Sequence, residues 1–227
     1  MIRHRARVAI GIAASVVAFP MTSSAQGSAV AASPKAKAES VTVVAGQHYQ
    51  AGWFHRWLLG DNYRELWTTP IRVPVFDWHS FAGGLHPTKE GGGNQTKSLR
   101  FETAEGDEYV FRLVDKTVRA PQMLRGTPIG WLIQDVAVSA QHPGGGAVTA
   151  RLVKASGVLH PTPMLVVMPD DSALGKFHDD FAGKLGMVEE YPHVPEKGPG
   201  FGGATKIIDS EELMKLLNTN PKEHIDS

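Results

Sequence analysis

Apolar residues recur at three- and four-residue intervals across positions 51–67, in the segment AGWFHRWLLGDNYRELW. This spacing predicts a helical segment, interrupted near Gly60 and ended by Pro70, whose aromatic side chains pack into a core. The aromatic side chains are Trp53, Trp57, Tyr63 and Trp67. A surface that stacks on sugar or contacts a partner protein is the less favoured alternative for the same residues.

Alternating apolar and polar residues, and at 164–168 a continuous apolar run, predict strands further along the chain. The predicted strands are 71–76, 98–101, 109–114, 164–168 and 181–191. The first is typical of an edge strand, because Pro74 cannot donate to a ladder. The second and third form a hairpin across the turn 105–107, in which Leu99 and Phe101 face an apolar set on the partner strand.

Three further helices follow from the same kind of periodicity. They are predicted near 131–140, at 147–156 with Gly157 as its cap, and at 211–218 after Asp209 and Ser210. The middle helix has Val148, Leu152 and Val153 on one apolar face. Together these elements predict an α+β domain, an antiparallel sheet with one or two packed helices.

The N-terminus has the pattern of an export signal. Three arginines precede an apolar run at 8–19 and small residues at 22–25, which predicts cleavage after Ala25. A transmembrane anchor is less favoured, because the run is shorter than the ~20 apolar residues that span a bilayer. Residues 26–40 lack aromatic residues and predict a disordered linker. The remainder, 41–227, is then one α+β domain, and a truncated C-terminal end stays open as an alternative.

Composition excludes several classes of protein. The chain has 23 basic and 23 acidic residues, and removal of residues 1–25 leaves 20 and 23, a net charge near −3, so binding to nucleic acid through bulk positive charge is not expected. The absence of cysteine excludes disulfides, thiol catalysis and cysteine metal sites. No His-Glu-x-x-His or Gly-x-Ser-x-Gly pattern occurs among the 227 residues. The acidic residues near 170–171 and 178–180 favour a solvated turn over a Mg²⁺ or Ca²⁺ site.

The strongest chemical signal is the glycine-rich segment 81–98, FAGGLHPTKEGGGNQTKS. Glycine lets backbone N–H groups approach an anion closely, and Lys89 and Lys97 add positive charge. A P-loop is excluded, because Thr96 rather than glycine precedes the Lys-Ser pair and a predicted strand rather than a helix follows it. Two interpretations of the segment remain. One is a hairpin that lies over nucleotide phosphates, and the other is an ordinary flexible loop, which a glycine run by itself favours.

The order of the elements adds a resemblance. A glycine loop, the strand YVFRLVDK, a helix ending in ASGVLHPTP and a buried strand follow one another, and this order resembles the small lobe of atypical bacterial protein-kinase-like folds, the group of toxin kinases and spore-coat kinases. The resemblance implies a phosphate-binding site with Arg112 or Lys116 as its cation; the ligand stays open, and Mg-ATP is one candidate. The candidate binding residues are Gly91, Gly92, Gly93, Lys97, Arg112 and Lys116.

A second resemblance covers AGWFHRWLLGDNYRELWTTPIRVPVFD and FAGGLHPTKEGGGNQTKSLRFETAEGDEYVFRLVDK. Both stretches are similar to the opening of large Gram-negative envelope proteins of unknown function. This resemblance implies a location in the periplasm or cell envelope, other envelope proteins as partners, and a chain that is part of something larger.

Catalysis by this chain is not expected. The helix at 147–156 carries no acid to pair with a strand cation, and Gln134 or Asp135 would be a weak substitute. The 227 residues contain no His-Arg-Asp catalytic loop and no Asp-Phe-Gly motif. The sequence therefore predicts an exported, non-catalytic nucleotide- or phosphate-binding module. The alternative is a periplasmic structural or protein-interaction domain without a small-molecule ligand, and neither alternative includes an integral membrane segment after signal removal.

Overall fold

The structure, a computed structural model, describes residues 39–92, 96–116, 122–195, 198 and 200–219. The strands are β1 (Ser40–Val43), β2 (Ile71–Pro74), β3 (His86–Gly91), β4 (Ser98–Glu102), β5 (Glu108–Leu113), β6 (Met164–Val167) and β7 (Leu185–Glu190). The helices are α1 (Trp53–Leu59), α2 (Arg64–Thr68), α3 (Pro128–Ser139), α4 (Gly145–Ala155), α5 (His178–Phe181) and α6 (Ser210–Thr219). The predicted signal and the linker up to residue 38 lie outside the described residues.

Five strands form one antiparallel sheet in the order β3-β4-β5-β7-β6. The predicted hairpin is confirmed in its register, because Leu99 pairs with Phe111 and Phe101 pairs with Tyr109. Strands β1 and β2 form a separate antiparallel pair, which continues through a parallel bridge between Val75 and Val167 of β6. The predicted α+β class with an antiparallel sheet is therefore confirmed.

The large sheet is buried on two sides by two different clusters. We call the side that carries Leu99, Phe101 and Phe111 the front face, and the opposite side, which carries Arg112, the back face. The front face packs against Phe76 and Trp78 and against the helical segment that ends in Phe181. The second cluster contains Tyr49, Trp67, Val73, Val138, Val167 and Leu185. It fills the space between the small sheet, helices α2 and α3, and the other side of β6 and β7.

Strand β3 was not predicted, because it lies inside the glycine-rich segment. Its residues, HPTKEG, have low strand propensity, and its pairing comes from β4 rather than from its own sequence. It lies at the edge of the sheet, where Pro87 is tolerated, and its register shifts between Pro87 and Lys89. Tertiary pairing thus overrides the local signal for a loop.

Two other predictions need correction at the level of single residues. Ser40 belongs to β1, so the predicted linker extends one residue too far. On α4, Val148 and Leu152 are exposed and Ala150 is buried, so the apolar face predicted for this helix is turned to solvent.

The interruption at Gly60 is confirmed, since this residue separates α1 from α2 with a φ of 86°. Across the part of the chain that the structure describes, no helix is both long and apolar enough to cross a bilayer.

Candidate functional site

Helix α1 turns its apolar side to solvent. Trp53 is 80% exposed and Trp57 is 74% exposed, and Phe54 and Leu58 between and beside them are more than half exposed. At 100° per residue these four positions share one side of the helix, and His55, Arg56 and Leu59 share the other. None of the seven described residues of α1 is buried. The helix is therefore amphipathic, but its apolar side faces solvent and its polar side faces the protein.

This orientation corrects the prediction that the aromatic side chains pack into a core. Of the four aromatic residues, Trp67 is buried at 1% exposure, whereas Trp53, Trp57 and Tyr63 are exposed. Trp67 belongs to α2. Its ring packs in the second cluster beside Tyr49, and its indole N–H donates to the Gln141 carbonyl at 2.8 Å. The exposure of Trp53, Trp57 and Tyr63 agrees with the less favoured alternative, in which these aromatic side chains form a surface.

Polar contacts hold α1 to the body of the protein. The Nε2 atom of His55 lies 3.0 Å from the Asp135 carboxylate on α3 and 3.1 Å from the Arg64 guanidinium on α2. Arg56 donates from Nε to the Ala51 carbonyl at 3.0 Å and from Nη1 to the Asp61 carboxylate at 2.8 Å. His55 thus anchors the polar side of α1 to α2 and α3, whereas the contacts of Arg56 stay within residues 51–61.

The anchor itself is a buried ion pair. Arg64 has no exposed surface, and it donates from Nη1 and Nη2 to the two carboxylate oxygens of Asp135 at 3.1 and 2.6 Å. Its Nη1 also donates to the Tyr49 carbonyl at 3.0 Å. Burial raises the pKa of the Asp135 carboxyl, but hydrogen bonds from Arg64 and His55 outweigh it and hold this pKa below its usual range. Asp135 is therefore ionised, and the pair fixes α1, α2 and α3 relative to one another.

Trp131 of α3 borders α1 at His55, the residue of the polar side that neighbours Leu58 around the helix. Its ring packs edge-on against His55, with 6.2 Å between the ring centroids, and it is 59% exposed. On α1, the ring of Phe54 lies 5.8 Å from Trp53 and 6.0 Å from Trp57. We call the five side chains of Trp53, Phe54, Trp57, Leu58 and Trp131 the aromatic surface. Together they expose roughly 700 Å², taking ~150–250 Å² for each complete aromatic residue.

The candidate glycines lie where β3 turns into β4. Gly91 pairs with Ser98, which pairs in turn with Arg112, so Gly91 and Arg112 share one row across the sheet. Gly92 has a φ of 125°, and a Cβ atom on it would collide with the Thr96 carbonyl oxygen, so the turn itself requires glycine. The third candidate, Gly93, lies outside the described residues.

The three candidate cations point to different places. Lys97 donates to Asp180 of α5 at 2.6 Å, on the side of the front face, and this hydrogen bond raises the pKa of Lys97. Arg112 alternates with Phe111, so it lies on the back face, where it donates to Glu189 at 2.9 Å. Lys116 donates to the Gln141 side chain at 2.8 Å. Gly91 and Arg112 lie in one row of the sheet but are separated by Ser98 of β4, and the three cations do not join into one site.

Asp135, the weak substitute for a kinase glutamate, pairs with Arg64 and His55 rather than with Arg112 or Lys116. Sequence reasoning assigned no role to His55 or Arg64. No motif marks either residue, because their partner Asp135 lies about 70 to 80 residues away along the chain.

Each of the two aspartates near the end of β6 has a histidine partner. His178 Nε2 lies 2.6 Å from Asp170, and His79 Nε2 lies 2.6 Å from Asp171. The hydrogen bond with Asp170 is the main cause of a raised pKa for His178. Among the described residues, no three histidine, aspartate or glutamate side chains converge as metal ligands would. Both histidine–aspartate pairs lie at the exposed surface.

No family model, curated protein or solved structure matches this chain. The fold is therefore defined by the structure alone, as an α+β domain with a five-stranded antiparallel sheet. A kinase-like small lobe and an envelope-protein family stay predictions from sequence motifs.

Proposed function

We propose that this protein is an exported protein-interaction domain of the cell envelope and that it binds its partner through the aromatic surface. The observation that carries this proposal is the inverted orientation of α1. Tryptophan is enriched among the residues that dominate binding energy at protein interfaces, and two tryptophans of α1 are about three-quarters exposed. Contiguous apolar patches larger than ~300–600 Å² are rare on monomers and mark interaction sites.

The polar contacts of His55 on α1 stabilise this orientation of the helix. If α1 rotated to bury Trp53 and Trp57, His55 would leave the buried Arg64–Asp135 pair. A buried charge pair that loses a hydrogen-bonding partner becomes less stable, because its groups are already removed from water. The exposure of the aromatic side chains is therefore held in place by the fold, as a preorganised binding surface requires.

The location in the envelope rests on the predicted signal at residues 1–25. An export signal places the partner among periplasmic or envelope proteins. ATP is scarce outside the cytoplasm, which also favours an interaction domain over a nucleotide-binding module. We do not expect catalysis.

Site-specific photo-crosslinking in the source cells tests the proposal. Trp57 is replaced by p-benzoylphenylalanine, and the envelope fraction is irradiated and separated by mass. We expect a discrete covalent adduct. The matched control carries the same probe at Leu152, an exposed apolar residue of α4 that is 68% exposed. If position 57 gives no adduct beyond that of position 152, the interaction function is wrong.

A second candidate function is a nucleotide- or phosphate-binding module with a kinase-small-lobe-like arrangement. The shared row of Gly91 and Arg112 favours it, as does the order of three strands, two helices and two further strands in one sheet, although the short helix α5 separates the last two strands. The pairing of Lys97 with Asp180 and of Arg112 with Glu189 makes it the weaker candidate. A ligand of this kind should raise the melting temperature of the chain at millimolar Mg-ATP or inorganic phosphate. An unchanged melting temperature, or binding that survives both Arg112→Ala and Lys116→Ala, would exclude it.

A further inference from the structure

The aromatic surface has the size of one half of a standard protein interface. Its roughly 700 Å² compares with about 800 Å² per partner in stable complexes. Complete burial of two such surfaces against each other would remove about 1,400 Å² in total, which is within the range of ~1,200–2,000 Å² for specific interfaces. No additional contact region is needed to reach that range.

All five side chains of the aromatic surface are apolar, and this composition bears on which partner fits. A twofold interface uses the same patch on both chains, so each residue type on the patch must tolerate its own copy. A charged residue at the centre would meet a like charge, whereas tryptophan, phenylalanine and leucine pack against one another. Homodimer interfaces as a whole are also more apolar than non-obligate interfaces.

The charged residues that border the aromatic surface on α1 have no net charge. Arg56 and Asp61 form an ion pair of 2.8 Å next to the aromatic surface, so both signs are present on the same chain. Two copies brought together would therefore not repel each other at this border. A surface that inserts into anionic lipid is typically flanked by several unpaired cations, and the cation of α1 is already paired with a carboxylate.

We propose that the partner of the aromatic surface is a second copy of this chain, which forms a twofold dimer with the two α1 helices packed against each other. This inference rests on the proposed function and specifies it. Trp53 and Trp57 are the central contacts, and Trp131 completes the apolar area from α3. The Arg64–Asp135 pair takes no direct part, but it positions α1 for the contact.

The absence of cysteine makes a direct test available. Trp57→Cys and Leu152→Cys each introduce the only thiol of the chain, and each protein is oxidised mildly and run on a non-reducing gel. We expect a disulfide-linked species of twice the chain mass from Trp57→Cys and none above background from Leu152→Cys. Equal amounts from both variants, or none from Trp57→Cys together with a wild-type monomer in sedimentation velocity, would overturn the dimer.

Sedimentation velocity of the cysteine-free chain supplies a second, independent measurement. The expected mass is twice that of the chain, and Trp53→Ser combined with Trp57→Ser should halve it while leaving the far-ultraviolet circular dichroism unchanged. Leu152→Ser should keep the double mass. A wild-type monomer at 50 µM or above, or a double variant that stays dimeric, would overturn the inference. Binding of a monomeric wild type to phosphatidylethanolamine–phosphatidylglycerol vesicles would overturn it in favour of lipid.

The photo-crosslinking result separates failure of this inference from failure of the proposed function. An adduct of twice the chain mass at position 57 supports both. An adduct of another mass, together with a monomer in sedimentation, overturns the dimer and leaves the interaction function standing. Absence of any adduct overturns both.

Discussion

At the scale of single residues, the Arg64–Asp135 pair has the strongest consequence for stability. Both groups are removed from water, and each satisfies the other through two hydrogen bonds. Pairs of this kind contribute little compared with an apolar substitute, yet the loss of one partner leaves an uncompensated buried charge. The two residues therefore depend on each other far more than the exposed Arg56 and Asp61 do.

We expect Asp135→Asn to lower the free energy of unfolding by about 3–5 kcal/mol, because it leaves the buried Arg64 guanidinium without a carboxylate. Urea denaturation measures this change. Asp61→Asn is the matched control, since it breaks an exposed pair and should cost less than about 1 kcal/mol. Equal losses for the two variants would contradict the role assigned to Asp135.

Acid should act on the same carboxylate. The folded protein holds the pKa of Asp135 below its usual range, so its contribution to stability is complete above the unfolded pKa of about 3.9 and is lost as the pH falls through the folded pKa. Between pH 5 and pH 2, the urea midpoint of the wild type should therefore fall further than that of Asp135→Asn. Parallel pH profiles for the two proteins would contradict this prediction.

The same residues show why the candidate site was only partly predictable. The spacing of Trp53, Trp57 and Trp67 correctly indicates helix, but periodicity alone does not say which side of a helix faces the core. The direction is set by Asp135, which contacts His55 of α1 from 80 residues away and also holds Arg64, the other partner of His55. No local pattern carries that information.

At the scale of elements, α1 and α2 share one apolar pattern but have opposite environments. Gly60 breaks the segment, and the two halves then turn independently, so that Trp57 faces solvent and Trp67 faces the second cluster. Trp57 and Trp67 therefore allow the stability effect of an exposed and a buried tryptophan from the same sequence pattern to be compared.

We expect Trp67→Ala to cost about 3–5 kcal/mol of unfolding free energy and Trp57→Ala to change it by less than about 0.5 kcal/mol. The first removes a buried ring and leaves a cavity, and the second removes an exposed ring. Denaturation in dilute protein, where self-association does not contribute, measures both. A large loss for Trp57→Ala in the dilute monomer would show that α1 packs with its aromatic side inward.

The β3–β4 connection shows how a glycine signal can come from structure instead of chemistry. Gly92→Ala should lower the stability by about 1–3 kcal/mol, because alanine strains at a φ of 125° and its Cβ collides with the Thr96 carbonyl. The loss should be the same with and without millimolar phosphate, as followed by thermal melting. Gly106→Ala is the control, since that glycine also has a positive φ but meets nothing within 4 Å. A loss for Gly92→Ala no larger than the control's would contradict the collision.

The hairpin β4–β5 was predictable and β3 was not, and the difference is physical. A tight turn and two alternating strands lie next to each other in sequence for β4 and β5, so local rules suffice. The edge strand β3 has polar residues, a proline and glycines, and it becomes a strand because β4 offers an unpaired edge.

At the scale of the whole molecule, two cores stabilise the domain while the aromatic surface lies outside both. The first cluster fills the front face, and the second joins the small sheet to the back of β6 and β7. Neither cluster contains a residue of α1 or Trp131. The stability of one chain therefore does not depend on the aromatic surface, and association should add stability on top of folding.

This separation predicts a melting temperature that depends on protein concentration. If two chains bind through the aromatic surface, dilution favours the unfolded monomers by mass action. A tenfold change in concentration alters the free energy by about 0.7 kcal/mol per chain, which corresponds to about 2 °C for a domain of this size. Differential scanning fluorimetry from 1 to 100 µM should show a rise of about 4 °C for the wild type. The Trp53→Ser/Trp57→Ser protein should melt at one temperature throughout, because its cores are intact and its contact surface is lost. A flat profile for the wild type would mean that the folded chain does not associate with itself, and the aromatic surface would then belong to a different partner.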